Sequence, residues 1–254
     1  MTDKSMPQQS GSTLDTPVWV VIPAAGCGQR LGSGLAKQYR LLDGASMLER
    51  TLNGMLSIPG VAGVVVVLGS DDTHWQALGL SDDARVHTTT GGNTRAESVL
   101  AGINFVLQQA EGHTWVMVHD AARPLVANSD IQRLVNAVYN TGSIGGLLAT
   151  PVHDTLKKAD EYAGVIATVE RRGLWQAQTP QLFRAAELQD ALSRGLTTDA
   201  ESITDEASAM ELAGHQPLLV EALQPNFKIT RPVDWQLATV LLQSQRLASE
   251  HASV

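Results

Sequence analysis

Arg30 and Lys37 stand in a stretch otherwise rich in small residues: Ala24, Ala25, Gly26, Gly28, Gly32, Ser33 and Gly34. Small side chains let an anion approach backbone N–H groups, and fixed cations beside such groups make a polyphosphate site. Two other phosphate loops do not fit. A Walker loop needs Gly-Lys-Ser/Thr, whereas Lys37 lies between Ala36 and Gln38. A dinucleotide fingerprint that includes Gly26 and Gly28 needs its third glycine where Leu31 stands. A surface loop with two solvated cations is the alternative, and the loop alone does not exclude it.

Further along, polar groups fall at the ends of elements. Gly91-Gly92-Asn93 precedes a helical pattern, so its N–H groups can meet a ligand at a helix start, with Ser98 about one turn inside. Ser98 taken alone reads as a solvated helix residue. Asp120 follows the apolar run Trp115–Val118, at the carboxyl end of a parallel strand, where α/β folds bind ligands. A carboxylate there can hold Mg²⁺, which takes one or two carboxylates together with substrate phosphates. Capping, or pairing with Arg123, is its other use. His119 reads as a hydrogen-bonded structural residue. Lys228 interrupts the short apolar run 226–230, either aimed at a ligand or as a solvent-facing edge lysine.

These groups need a frame. Residues 18–22 form an apolar run bounded by loop residues, the mark of a strand buried on both faces. The same pattern gives strands over 63–68, 85–88, 115–118, 144–151, 218–220 and 226–230, and a strand leading into a turn over 175–181. Helices are expected over 46–58, up to about Gln109, over 128–140 with Asn128 or Ser129 as cap, over 185–194, over 203–213, and from Pro232 to about Leu247. Alternating strands and helices make the chain α/β. Residues 152–171 differ: two polar-alternating strands, 155–158 and 165–171, flank a turn over 159–164. Such a hairpin has little core of its own and reads as an arm reaching off the domain, or as an ordinary edge hairpin. The domain is expected over 17–250, preceded by a disordered polar tail over 1–16 that has no apolar signal-peptide core.

Composition narrows the function classes. At 254 residues, 43% hydrophobic and 17% charged, the chain is an ordinary globule able to bury a large core. A formal charge of −8 argues against broad nucleic-acid binding, so an anionic ligand needs a local basic cluster. The single cysteine, Cys27, excludes an internal disulfide and suits a reducing cytoplasm. No apolar run reaches the length of a membrane span.

Pro23-Ala24-Ala25-Gly26-x-Gly28-x-Arg30, followed by Lys37-Gln38-Tyr39, resembles the signature of nucleotidyltransferases that activate sugar and polyol phosphates. Further blocks narrow the likeness: Gly91-Gly92-x-x-Arg95-x-x-Ser98-Val99, His119-Asp120-Ala121-Ala122-Arg123-Pro124, Pro151-Val152-x-Asp154-Thr155, Gln178-Thr179-Pro180-Gln181, Thr204-Asp205-Glu206-Ala207-Ser208 and Asn226-x-Lys228-x-Thr230. In this order they resemble the 2-C-methyl-D-erythritol 4-phosphate cytidylyltransferase family, from residue 18 to about 247. The resemblance implies a Rossmann-like fold with a protruding hairpin arm, a homodimer, Mg²⁺, and CTP and a polyol phosphate as substrates. It implies that Arg30 and Lys37 stabilise charge on the α-phosphate. Ala24, Ala25, Gly26, Gly28, Gly92, Asn93, Ser98 and Ala121 would hold the nucleotide. Arg171 and Lys228 would position the acceptor phosphate with Asp120, Arg123 and Thr155, and the arm would carry Thr155 and Arg171 into the partner subunit's site. Ala36 and Cys27 depart from the family pattern, where proline and an aromatic are common, so loop rigidity is in question and the chemistry is not. A ribitol 5-phosphate cytidylyltransferase, a molybdopterin nucleotidyltransferase and a non-catalytic nucleotide-binding protein are the competing readings.

Overall fold

Successive residues of the first strand, β1 (Val18–Pro23), belong to different cores. Val18, Val20 and Ile22 pack on one side of the sheet and Trp19 and Val21 on the other, all buried. Side chains alternate across a strand, so an uninterrupted apolar run demands cover on both faces. The structure, a computed structural model, describes residues 17–26, 35–110 and 113–252. The expected tail, and Cys27, Gly28, Arg30 and the rest of 27–34, lie outside the described residues.

The strands after β1 are β2 (Leu41–Leu42), β3 (Ala45–Ser46), β4 (Val61–Leu68), β5 (Val86–Thr90), β6 (Trp115–Val118), β7 (Gly145–Pro151), β8 (Leu156–Ala159), β9 (Val165–Val169), β10 (Trp175–Arg184) and β11 (Leu218–Glu221). The helices are α1 (Met47–Leu56), α2 (Arg95–Gln109), α3 (Asn128–Thr141), α4 (Ala185–Thr198), α5 (Glu206–Leu212) and α6 (Pro232–Ala252). The main sheet has seven strands in the order β11-β7-β10-β6-β1-β4-β5, parallel except for β10, which runs antiparallel to both neighbours. α1 and α3 cover the face carrying Val64, Val66 and Met117; α2, α4 and α5 cover the face carrying Val65, Val67 and Val116. A third core, with Leu42, Met47, Leu125 and Ile229, seats α6. The β8–β9 pair forms its own two-stranded sheet, with nearly every residue from 155 to 175 exposed.

Two local devices fix the elements that reach the site. α1 and α2 both begin with a capping box: Ser46 accepts from the Glu49 N–H, and Thr94 from the Glu97 N–H, while each glutamate bonds back to its cap. α2 then lies close on β1 and β4 because residue 102 is glycine. A Cβ there would stand 2.5 Å from Val21 Cγ1 and 2.9 Å from Val67 Cγ2.

Several boundaries differ from the sequence pattern, and in the first three cases below tertiary partners replaced local ones. Residues 226–230 are not a strand: the Ile229 N–H donates to Ala122, but the Asn226 side chain bonds Gln178 and Thr179, and its carbonyl accepts from Arg123. Irregular chain whose polar groups are satisfied by side chains can carry the same pattern as a strand. No turn ends the strand at 178–181; β10 continues to Arg184, and its pairing with β7 shifts register between Ala177 and Gln181, where Pro180 needs no ladder donor. The cap of α3 is Ala127, without a side-chain bond; Asn128 instead donates to Ser57. α5 starts at Glu206, capped by Asp205, later than the pattern suggested.

Candidate active site

The carboxyl ends of β1, β5 and β6 meet at one cavity of about 300 Å³. Backbone bonds set its floor: Ala24 N–H donates to Val67, Gly91 N–H to Leu68, and His119 N–H to Val21, at 2.8 to 2.9 Å. Chain leaving a parallel strand must turn there, so its first loop residues face the crevice. Ala24, Ala25, Gly26, Lys37, Gly92, Asn93, Ser98, Asp120, Ala121 and Lys228 all line it. Arg123 stands just behind, 11% exposed, donating to the Asn226 carbonyl at 2.6 Å with its Nε 3.7 Å from Asp120. Arg171 and Thr155 do not reach this cavity. They lie together on the arm, where Arg171 bonds the His153 carbonyl.

Each wall is held by a different means. The Gln38 amide, buried, donates to the Ala24 carbonyl at 2.8 Å and the Gly26 carbonyl at 3.1 Å, tying the glycine stretch to the turn Lys37–Tyr39. Tyr39 anchors the same turn through Asp72 at 2.6 Å. Lys37 Nζ donates to the Ile229 carbonyl at 2.8 Å, which draws the first loop and the segment carrying Lys228 together. Opposite them, Gly92 N–H donates to Ser98 Oγ at 3.2 Å, and Ser98 Oγ donates to Thr94 at 2.9 Å. A Cβ on Gly92 would stand 2.4 Å from Glu97 Cβ, inside the capping box, so only glycine lets the chain pass so near the start of α2. Thr94 and Arg95 at the start of α2 also line the cavity, and the N–H groups leading into the helix are bonded within the chain, Gly92 to Ser98 and Asn93 and Thr94 to Glu97.

The centre of the site is ionic. Asp120 is 9% exposed; its Oδ1 accepts from Arg95 at 3.0 Å and its Oδ2 from Lys228 Nζ at 2.8 Å. Arg95 also donates to the buried Glu206, at 2.6 and 3.3 Å. Burial opposes the Asp120 charge, but Arg95 and Lys228 more than offset it and hold its carboxyl well below the usual carboxylate range. Burial likewise opposes the Arg95 charge, and Glu206 and Asp120 together raise it above its ordinary value. Arg95, Arg123 and Lys228 outnumber Asp120 and Glu206, so the cluster is net positive and suited to an anion. His119 is fully buried and burial pushes it down to about 4, so it is neutral at physiological pH. Its Nε2–H donates to the Arg123 carbonyl, and its Nδ1 accepts from Thr179 Oγ1, which accepts from the Asp120 N–H. That chain leaves His119 no capacity for acid–base chemistry; it holds the Asp120 loop in place.

A cleft of this kind at the switch point of a parallel sheet binds nucleotides in many folds. The chain's own relatives decide the matter. The 2-C-methyl-D-erythritol 4-phosphate cytidylyltransferase family model matches residues 18–244. The chain belongs to this family. A 2-C-methyl-D-erythritol 4-phosphate cytidylyltransferase from Ectopseudomonas mendocina is 47% identical over 222 residues, covering 87% of this chain and 94% of that protein. A crystal structure of a 4-diphosphocytidyl-2C-methyl-D-erythritol synthase superposes with a TM-score of 0.77 at 38% identity, covering 90% of this chain and all of that one. The Francisella tularensis 2-C-methyl-D-erythritol 4-phosphate cytidylyltransferase superposes with a TM-score of 0.76 at 32% identity, covering 88% and 98%. This cytidylyltransferase-family chain is therefore a nucleotidyltransferase.

Sequence reasoning left three contributors off the site. Gln38 and Arg95 were in view as motif letters, and both line the cavity. The signal for Arg95 was its place directly after the cap Thr94, which puts it in the first turn of a helix aimed at the site. Glu206 stood in a motif block and directly after the cap Asp205 as well, but its residue type pointed elsewhere. An acid at a helix start reads as a solvated partner of the helix dipole, whereas here it is 1% exposed and paired.

Proposed function

We propose that this enzyme joins CTP and 2-C-methyl-D-erythritol 4-phosphate to give 4-diphosphocytidyl-2-C-methyl-D-erythritol and pyrophosphate, a step of non-mevalonate isoprenoid biosynthesis in the cytoplasm. The observation that carries this reading is the convergence of Lys37, Lys228 and the N-terminus of α2 on one cavity, in a chain of this family. The acceptor is a phosphate monoester whose second ionisation falls near pH 6 (about 6), so it is already a nucleophile near neutrality and needs no general base. One of its oxygens bonds to the α-phosphorus of CTP as the bond from that phosphorus to the bridging oxygen of the β-phosphate breaks, and pyrophosphate leaves in line. The obstacle is repulsion between two anions, so catalysis is positioning and charge compensation.

Lys37 and Arg30 stabilise the charge that builds on the α-phosphate. Ala24 to Gly28, with Gly92, Asn93, Ser98 and Ala121, hold the nucleotide. Lys228, backed by Asp120 and Arg123, receives the acceptor phosphate. The reaction calls for Mg²⁺ or another divalent cation, and the donors fit one held chiefly by substrate. Among the described residues Asp120 is the carboxylate lining the cavity, and its oxygens already accept from Arg95 and Lys228. Such an ion would take most of its ligands from phosphate oxygens and water, and when bound it lowers the charge the triphosphate presents.

The arm supports a homodimer. Tyr162, Val165 and Ile166 are 85%, 66% and 60% exposed on a hairpin that packs on little of its own chain. An isolated hairpin is marginal in water, so a second subunit is what orders it. In that dimer Thr155 and Arg171, too far out to line their own cavity, serve the partner subunit's acceptor site. Among the described residues no helix is long and apolar enough to cross a membrane.

Pyrophosphate release, measured with Mg²⁺, each of four nucleoside triphosphates, and methylerythritol phosphate or ribitol 5-phosphate as acceptor, tests the whole reading. Release is expected with CTP and methylerythritol phosphate. Preference for ribitol phosphate would move the chain to the sibling reaction, and silence with CTP and both acceptors would leave a nucleotide-binding module.

A further inference from the structure

Glu206 has no part in the chemistry above, yet it is the most deeply buried acid of the cluster, 1% exposed at the start of α5. Burying an ion pair offers little net stability, because desolvation offsets most of the attraction, and an apolar pair would hold α5 against α2 as well. What an apolar pair lacks is direction. Arg95 is a rigid fork held on one side by both oxygens of Glu206, at 2.6 and 3.3 Å, and on the other by Asp120 Oδ1, its Nε at 3.0 Å. A guanidinium fixed in this way fixes the carboxylate it donates to. The opposite oxygen of that carboxylate accepts from Lys228 Nζ at 2.8 Å. Lys228 sits on a segment with no sheet partner, so side-chain contacts decide where its ammonium stands.

We propose that Glu206 is a positioning residue for the acceptor phosphate: through Arg95 it sets the Asp120 carboxylate, and Asp120 sets Lys228. This rests on the reading of Lys228 as the acceptor-side cation. Without the Glu206 charge, Arg95 keeps Asp120 as its sole acid partner and draws the carboxylate toward itself. Lys228 then loses its fixed station while keeping its charge. The nucleotide side is held by bonds that do not involve Glu206: Gln38 to the Ala24 and Gly26 carbonyls, Gly92 to Ser98, and the Thr94–Glu97 capping box of α2.

Steady-state kinetics of Glu206→Gln, which keeps the size and removes the charge, tests this. The KM for the polyol phosphate is expected to rise about tenfold while the KM for CTP stays within about twofold. In a Lys228→Ala background, which already lacks the ammonium, Glu206→Gln should add less than about twofold to the acceptor KM. An equal loss for both substrates, or an undiminished effect without Lys228, would show that Glu206 only holds the two helices together. Where Glu206→Gln fails to fold, Glu206→Asp keeps the charge and withdraws it by one methylene. A selective but smaller rise in acceptor KM is then expected, and a uniform change overturns the proposal. Wild-type turnover separates the two ideas: an inactive wild type sinks the reaction, whereas an active wild type with a uniform loss in the variant sinks the relay alone.

Discussion

Lys37 shows how a residue's role follows from where its charge is anchored. Its ammonium donates to the Ile229 carbonyl while Lys37 lines the cavity, and in the proposed reaction it meets phosphate there. Lys37→Ala is expected to lower kcat by on the order of 10²–10³, the scale for one lost transition-state charge contact, with little change in thermal midpoint. Unchanged turnover would remove Lys37 from the mechanism. His119 works the other way, as a neutral buried group. Its ordinary value is 6.5 and burial takes it to about 4, so the unfolded chain binds the extra proton between those values. The stability that neutral His119 contributes is therefore full above about pH 6.5 and is lost as the pH falls toward about 4. Urea unfolding at pH 7 and pH 4.5 should differ by roughly 2–3 kcal/mol from this group, and His119→Asn should flatten that slope. The Asp120 contribution falls in a separate, lower window: its carboxyl lies below its ordinary value, so its stabilisation is lost only once the pH drops beneath the usual carboxylate range.

At the scale of elements, the position of α2 governs the nucleotide side of the site. The helix presents Gly92, Asn93 and its own first turn to the cavity, and its depth on the sheet is set at Gly102. Two effects compete in Gly102→Ala. Alanine gains up to about 1 kcal/mol in helix propensity. Its methyl would fall 2.5 Å from a Val21 carbon in a filled core, and overpacking of that kind costs about 1–3 kcal/mol. The second wins, so the variant should be less stable in urea and should raise the KM for CTP more than that for the acceptor, because lifting α2 moves Ser98 and the Gly92–Asn93 turn bonded to it, all of which line the cavity. A stabilised variant with unchanged CTP binding would show that α2 reaches its place for another reason.

For the whole molecule, the division of the site between cavity and arm makes a prediction that no single chain can satisfy. If Arg171 serves the partner subunit, Lys37→Ala and Arg171→Ala each give an inactive or poorly active homodimer. A mixed dimer, however, contains one site with Lys37 from one subunit and Arg171 from the other. Co-expression in equal amounts should restore about a quarter of wild-type activity, since half the dimers are mixed and each has one complete site. Mixtures no better than the separate variants would place Arg171 in its own chain's chemistry or outside it.

How much of this was legible beforehand follows from the range of the interactions concerned. Burial on both faces of β1, the α/β alternation and the hairpin are written in neighbouring residues, and side-chain periodicity carries them directly into structure. The cavity-lining residues Lys37, Gly92, Ser98, Asp120 and Lys228 were identifiable because they sit at strand ends and helix starts or in motif blocks. Other features were not local. That 226–230 is irregular chain rather than a strand depends on Gln178, Thr179 and Arg123, far away in the sequence. Glu206 and Arg95 are separated by 111 positions, and only folding makes them one ionic unit with Asp120. The amino-acid order by itself thus determined most of the elements that form and pointed to the ends of them that meet at the cavity. The tertiary structure alone decided which charges neutralise one another and which stay directed at the cavity, because that balance is set by distances of a few ångströms across a closed core, where burial makes each pairing matter.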